Sequence, residues 1–324
     1  PCTVTAERLD GLEIEQFRLM IDGSPILWSK AEAGVLILQD VSDVLTTHDI
    51  PFRPIQTAIW VRRLVVDETY ADKLTDIGLT FLRQPDSIIE QTHDGLIQNV
   101  AALVGLQETR EILNTVEETY PVLVAEVLLI LSVQKVSEVM RRLLEERVSL
   151  ANKRKILEAL VEWTPFDSGA LALTEYCRIA LKQQICETVA SKDRTISAIV
   201  VERDTEDILR STLRETNIGT YLVLNESQTA DLLAVVRSQI EALAPKGIEP
   251  VLLTSMDVRR HLKTFLTRNS IDMTVLSFQE LSDDYTVVPC STLTLKSSKS
   301  SFNKNRTSAT NTTPDEKTST DPTN

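Results

Sequence analysis

The stretch Leu253-Thr-Ser-Met-Asp257 holds the best candidate for ligand chemistry, because an apolar run enters it and an amphipathic run leaves it. Ser255 then stands where a helix N-terminus following a strand holds anions. Its plainer role, and the predicted one, is an N-cap whose hydroxyl satisfies an orphan amide. Adjacent acids at Glu117-Glu118, Glu145-Glu146 and Asp283-Asp284 offer general acid and base groups. Neighbours on a helix point about 100° apart and do not face one another, so each pair is read as part of a solvated face. His48, His93 and His261 have no second His or Cys at ligand spacing, and Cys2, Cys177, Cys186 and Cys290 are scattered. Zinc ligation needs closer spacing than this, and free thiols in a reducing compartment are expected. Only 9 Gly occur, with no Gly-x-x-x-x-Gly-Lys, Gly-x-Gly-x-x-Gly or Gly-x-Ser-x-Gly. Phosphate cradles and nucleophile elbows depend on those glycines. No catalytic, cofactor-binding or metal-binding residue is predicted, and no cofactor.

The elements behind these residues fall into three kinds. Phe17, Leu19 and Ile21 alternate with Arg18 and Met20 before Asp22-Gly23, which predicts a hairpin into Pro25-Ile-Leu-Trp28. Val35 to Leu38 and Thr57 to Val61 read as strands, with Trp60 in the core. Glu68 to Ile77 reads as a helix stopped by Gly78, and Ser87-Ile-Ile-Glu90 as a capping box opening a helix from Ile88 to Val104. Residues 106–189 are read as short stacked helices, broken at Pro121, Ser132, Ser149 and Pro165-Phe-Asp-Ser168. From residue 190, apolar runs at Thr195–Val201, Thr220–Leu224, Pro250–Leu253 and Thr274–Leu276 alternate with helices at Glu206–Thr216, Ala230–Leu243 and Val258–Arg268. Tyr285–Leu295 supplies a further strand. That alternation implies an α/β layer with a largely parallel sheet. Lys296 to Asn324 is almost free of apolar residues and is expected to be disordered.

Composition narrows the partners. Lys+Arg 34 against Asp+Glu 47 gives a formal charge of −13, which argues against nucleic acid or an anionic membrane as the partner. Hydrophobic residues make up 42% of the 324, enough for two or more small cores in a soluble protein. No run approaches the roughly 18 apolar residues of a membrane helix, and the start at Pro1 does not look like a signal peptide.

Residues 132–163 are the most distinctive segment, read as two amphipathic helices hinged at Val148-Ser149. Val133, Val136, Met140, Leu143 and Leu144 form one stripe, and Leu150, Ile156, Leu157, Leu160 and Val161 the other. Within it, Arg141-Arg-Leu-Leu-Glu-Glu-Arg-Val-Ser-Leu150 and Arg154-Lys-Ile-Leu-Glu-Ala-Leu160 resemble the cytoplasmic domain of the type III secretion and flagellar export gate family. Gly105-Leu-Gln-Glu108, Leu173 to Ile185, Pro250 to His261 and Val275 to Leu281 resemble further segments of that family in the same order, covering about residues 14 to 295.

The resemblance implies an α/β (α+β overall) multi-subdomain fold. Residues 1–30 and 84–105 would form a mixed α/β first subdomain, 31–83 a small insert, 106–189 a helical subdomain and 190–295 a C-terminal α/β subdomain, with 296–324 a tail. It also implies a preceding membrane part, an opening segment before the strand at Ile14–Ile21, and a place on the cytoplasmic face of the bacterial inner membrane. Copies would assemble into a ring, typically of nine. The ring would serve chaperone and substrate complexes, a gatekeeper protein and the stalk of the export ATPase. Ring contacts are expected at Arg147, Arg154 and Glu158, read as having unpaired charge. Cargo is expected in the groove beside the insert, with Phe52 as anchor on a loop stiffened by Pro51 and Pro54, Arg53 and Gln56 as rim, and Thr92 and Leu96 opposite. Two places depart from the family. Ala151-Asn152-Lys153-Arg154 stands where members often have Arg-Asp-Leu-Arg, and His48 to Val61 lacks the glycine of the flagellar chaperone-docking stretch. The second favours an injectisome over a flagellum. The competing readings are an α/β small-molecule enzyme acting near Ser255 and a helical adaptor unrelated to secretion.

Overall fold

The computed structural model describes residues 16–295 apart from 22, 31–33, 39–40, 56–62, 217–218 and 244–247. Gln16–Ile21 (β1) and Ser24–Lys30 (β2) form the expected antiparallel hairpin, with Gly23 at φ +75 supplying the left-handed turn residue. The register slips between Leu19 and Met20. The insert follows as Val35–Ile37 (β3), Ser42–Thr47 (α1), Phe52–Ile55 (β4), Arg63–Val66 (β5) and Ala71–Asp76 (α2). Its sheet is ordered β3-β5-β4 and antiparallel throughout, around Val35, Ile37, Leu45, Leu64, Val66 and Leu74. The strand expected at Thr57–Val61, with Trp60, lies outside the described residues, and so does the tail at 296–324.

Gln84–Gln98 (α3) returns the chain to the first hairpin, where Gly95 lets it approach: an added Cβ would lie 3.0 Å from Leu27 and 3.2 Å from Leu19. The capping box expected at Ser87-Ile-Ile-Glu90 does not form. Pro85 in the first turn starts the helix earlier, leaving Ser87 buried inside it as the acceptor for Gln91 Nε2 at 3.2 Å. The helix also stops at Gln98, short of Val104, and a 3-10 turn at Val100–Leu103 follows.

The helical subdomain comprises Leu106–Glu117 (α4), Pro121–Ile130 (α5), Val133–Glu145 (α6), Lys153–Trp163 (α7), Ala170–Ala180 (α8) and Lys182–Val189 (α9). Its boundaries are chemical. The Gly105 amide donates to the Glu108 carboxylate at 2.8 Å ahead of α4, Ser132 Oγ accepts from the Lys135 amide at 3.3 Å on α6, and Asn152 Oδ1 accepts from the Lys155 amide at 3.3 Å on α7. Asn152 caps α7, where Ser149 had been expected to mark the break. The turn before it begins with Arg147 at φ +59, and the Val148 amide donates to the Leu143 carbonyl. This is a Schellman ending, with buried Val148 closing against Leu143.

The last subdomain contains Thr195–Val201 (β6), Arg203–Thr212 (α10), Leu213–Thr216 (β7), Gly219–Leu222 (β8), Glu226–Leu243 (α11), Val251–Thr254 (β9), Met256–Arg268 (α12), Val275–Ser277 (β10) and Thr286–Leu293 (β11). Its four-stranded sheet, ordered β10-β9-β6-β11, is parallel at every pairing, as the alternation predicts. Two expectations fail here. The helix read over Glu206–Thr216 ends at Thr212, and Leu213–Thr216 pairs antiparallel with the strand expected to join the parallel sheet. An antiparallel pair closes with a short turn, whereas a parallel one needs a crossover.

Both faces of the parallel sheet are buried, one by α10 to α12 and the other by the helical subdomain. Ile196, Ala198, Val251, Leu253 and Leu276 share one core with Leu143, Ile156, Leu160 and Leu173, while Ile199, Val201, Leu252 and Val275 face Leu209, Leu232, Val258 and Leu262. The period of two in β6 thus sends alternate residues to two different partners. The core crosses the boundary drawn at residues 189 and 190.

Candidate functional site

The predicted groove residues fall on different elements. Phe52 is the first residue of β4, paired with Val66, and its ring packs half-buried on the insert core; it lies in a strand, not in a free loop. Arg53 and Pro54 are exposed on that edge strand, where a residue lacking an amide is tolerated. Gln56 lies outside the described residues. Thr92 and Leu96 are half-buried on α3. What joins the insert to α3 is Arg63, which reaches Asp94 at 2.7 Å and Glu90 at 3.4 Å. Sequence reasoning missed that clamp, because an arginine inside an apolar strand carries no periodic signal.

The predicted ring residues do not carry unpaired charge. Arg154 Nε donates to Glu158 Oε1 at 2.6 Å, an i,i+4 pair on α7, and its guanidinium lies 5.0 Å from the Tyr120 ring centroid. Arg147 pairs with Asp272 at 2.5 Å. Beside Arg154, α5 turns Val124 and Val127 inward and leaves Val122 and Leu129 uncovered at 74% and 78% exposure. Leu129 and Val122 on an outer face reverse the usual distribution of a surface helix.

At the carboxyl ends of the parallel strands, where α/β enzymes hold their ligands, this chain places its own side chains. Glu206 Oε1 accepts from Thr254 Oγ1 and from the Ser255 amide, both at 2.7 Å. An internal carboxylate therefore occupies the start of α12. Ser255 does not cap α12 as expected; its hydroxyl accepts from Arg210 Nη2 at 2.7 Å. Arg210 also holds Asp257, and that hydrogen bond is the main reason the Asp257 carboxyl sits below its ordinary value. His261 is lowered by burial and then by Arg260. Burial alone pushes the Cys177 thiol up to about 12, so it is inert as a nucleophile. Among the described residues no cluster of His, Cys, Asp or Glu is arranged to hold a metal.

A second network lies where the helical subdomain meets the parallel sheet. Arg259, fully buried on α12, donates to Glu146 at 2.5 and 3.1 Å and to Glu175 of α8 at 2.7 Å. Arg178 of α8 bonds Glu280, just after β10, and pairs with Glu146 at 3.1 Å. Glu146 is thus no part of a solvated face. Its partner Arg259 is 113 residues away, beyond the reach of any spacing argument. Burial raises the Glu146 carboxyl, but Arg259 and Arg178 outweigh it and bring it down to about 2.

The described residues thus run, in order, through an interrupted α/β subdomain with its insert, a helical subdomain and a parallel α/β layer. Residues 3–286 match the FHIPEP family, and the chain belongs to it. It is 35% identical over 282 residues to the probable translocation protein y4yR of Sinorhizobium fredii, covering 86% of this chain and 40% of that protein. It therefore spans 40% of that relative's length. The structure of the Chlamydia pneumoniae CdsV protein superposes with a TM-score of 0.78 at 26% identity, covering 88% of this chain and 82% of that one. CdsV has also been solved in complex with CdsO, with a TM-score of 0.76, the same identity and the same shares. The nonameric SctV-C of EPEC gives a TM-score of 0.73 at 22% identity over 86% of this chain and 83% of that one. No helix among the described residues is long and apolar enough to cross a membrane.

Proposed function

We propose that the chain is the docking ring of a bacterial type III protein secretion system, held on the cytoplasmic face of the inner membrane by a membrane part of the whole protein. The observation that carries this is the uncovered apolar face of α5, Val122 and Leu129, with Ile130 beside them and the Arg154–Glu158 pair alongside. Its occupant is a second copy of the chain. A ring contact is heterologous and needs a face of this kind on every subunit, and the nonameric SctV-C supports nine copies on this fold. Arg154 and Glu158 border that contact, and Arg147 is assigned to the ring with them, all through charges already paired within the subunit.

The assembled ring takes up chaperone and substrate complexes, a gatekeeper protein and the export ATPase stalk, and the CdsV complex with CdsO supports a second protein docking on this architecture. Cargo engages the edge strand β4 through Phe52, Arg53 and Pro54. The reading is of a non-enzymatic component, and it is supported by Glu206, which takes the Ser255 amide at the start of α12 where an α/β enzyme would hold a substrate anion. The injectisome reading rests on the glycine-free His48 to Val61 stretch and on the translocation relative in Sinorhizobium.

Sedimentation velocity over a concentration series tests the ring. The wild-type chain is expected to associate, and the double variant Val122→Asp, Leu129→Asp to remain monomeric with an unchanged melting temperature. A wild type that stays monomeric at high concentration and moderate salt would overturn the reading for this chain.

A further inference from the structure

The turn between α6 and α7 meets α9 and the chain entering β10 around a cavity of about 190 Å³. Two guanidiniums stand on its wall. Arg178, with 2% of its side chain exposed, gives Nε to Glu280 and Nη1 to Glu146 at 3.1 Å. Its Nη2 has no hydrogen bond among the described residues and stays open to solvent. Arg147 gives Nη2 to Asp272, and its Nε and Nη1 find no acceptor among the described residues. The Ser149 hydroxyl oxygen accepts from the Ala151 amide at 3.2 Å, so its own proton is uncommitted. Glu146, the carboxylate on this wall, turns both oxygens to Arg259. The surrounding charges match to within one. Arg147, Arg178, Arg259 and Lys263 answer Glu146, Glu175, Glu280 and Asp272, and Arg260, with no ion pair among the described residues, adds a further positive charge. Guanidinium donors without an acceptor are costly in a buried wall, and their fork geometry suits the oxygens of a carboxylate or a phosphate.

We propose that this cavity binds a small oxyanion, a phosphate or carboxylate group held by Arg178 Nη2 and the uncommitted donors of Arg147, with the Ser149 hydroxyl donating a further hydrogen bond. Such a group supplies acceptors to donors that have none and brings negative charge to a wall with one positive charge in excess. Size limits the rest of the ligand. Sites for drug-sized molecules begin at roughly 300 Å³, so this one takes something smaller. Val148, Ile185 and Val189 line the same cavity and leave a short carbon skeleton an apolar surface to lie against. Because the wall draws on the turn after α6, on α9 and on Thr274 ahead of β10, a bound oxyanion ties the helical subdomain to the C-terminal layer. The site lies within one subunit and does not rest on the ring or on cargo docking.

The test titrates the 324-residue chain with inorganic phosphate and, separately, with succinate, each against sodium chloride at matched ionic strength, and follows it by heteronuclear NMR. At least one oxyanion should give saturable shifts at the Arg178 Nε–H and at the Ser149, Thr188 and Thr274 amides, with a Kd tighter than about 10 mM. The same oxyanion should raise the melting temperature by mass action. Which titration saturates assigns the group as phosphate or carboxylate. Arg147→Gln should weaken binding at least about fivefold. Thr188→Phe, which fills the cavity from an exposed position on α9, should abolish it while the circular dichroism spectrum stays that of wild type. Shifts that never saturate, or that chloride reproduces, would overturn the proposal, and so would binding that survives Thr188→Phe. If Arg147→Gln loses its fold along with the Asp272 pair, the shift map and Thr188→Phe decide alone.

Discussion

Glu146 and Arg259 show how a single pair of side chains sets the response of this protein to acid. Glu146 titrates in the folded chain at about 2 instead of 4.5, so its stabilising contribution is present above the unfolded value and is lost as pH falls from there towards 2. That contribution is on the order of 3 kcal/mol. Acid unfolding followed by circular dichroism should therefore be less steep in Glu146→Gln, from a lower starting stability. Arg259→Met should cost about 3 to 5 kcal/mol in urea unfolding, because it leaves buried carboxylates without their counter-ion. None of this was legible in the sequence. Glu145-Glu146 looks like any exposed acid pair, and the turn that carries Glu146 inward depends on Arg147 adopting φ +59, a conformation with no signal in residue type. Ser255, by contrast, was found as a position, at the start of α12, while its role was not, since its partner Arg210 comes from another helix.

Regular elements were readable where a local rule governs them. Thr195–Val201 matches β6 residue for residue, since a strand buried on both faces is a continuous apolar run. Pro121 and Ser132 open α5 and α6 as expected, and Ser132→Ala should lower the melting temperature by an amount corresponding to about 1 kcal/mol. The insert was harder to read because β4 and β5 are four-residue strands containing Pro54 and Arg63, residues that argue against strands when taken alone. Its tightest contact is equally hidden. Gly34 sits at φ +124, and an added Cβ would lie 2.4 Å from the Val66 carbonyl oxygen. Gly34→Ala should thus destabilise the insert by more than about 1 kcal/mol, since the backbone conformation and the clash both oppose it. Proteolysis within residues 35–82, with the helical subdomain left resistant, would report the change.

Across the whole molecule, the shared core between the helical subdomain and the parallel sheet makes those two parts one cooperative unit, whereas the insert has its own core and is linked to α3 through Arg63. Calorimetry should show one transition for residues 106–295 and a separable one for the insert. A fragment of residues 106–189 should melt well below the full chain, because Leu143 and Leu160 would lose Ile196, Ala198 and Leu253 as neighbours. The strand order adds a constraint on the sequence of events during synthesis. β11 lies beside β6, yet it leaves the ribosome about ninety residues later, after β9 and β10 have taken the opposite side. The edge of β6 that receives β11 is bare throughout that interval, and an unpaired parallel strand edge is a template for the wrong partner. Translation speed between residues 202 and 286 is therefore a selectable property of the gene, and a chaperone that shields a nascent strand would find its client here.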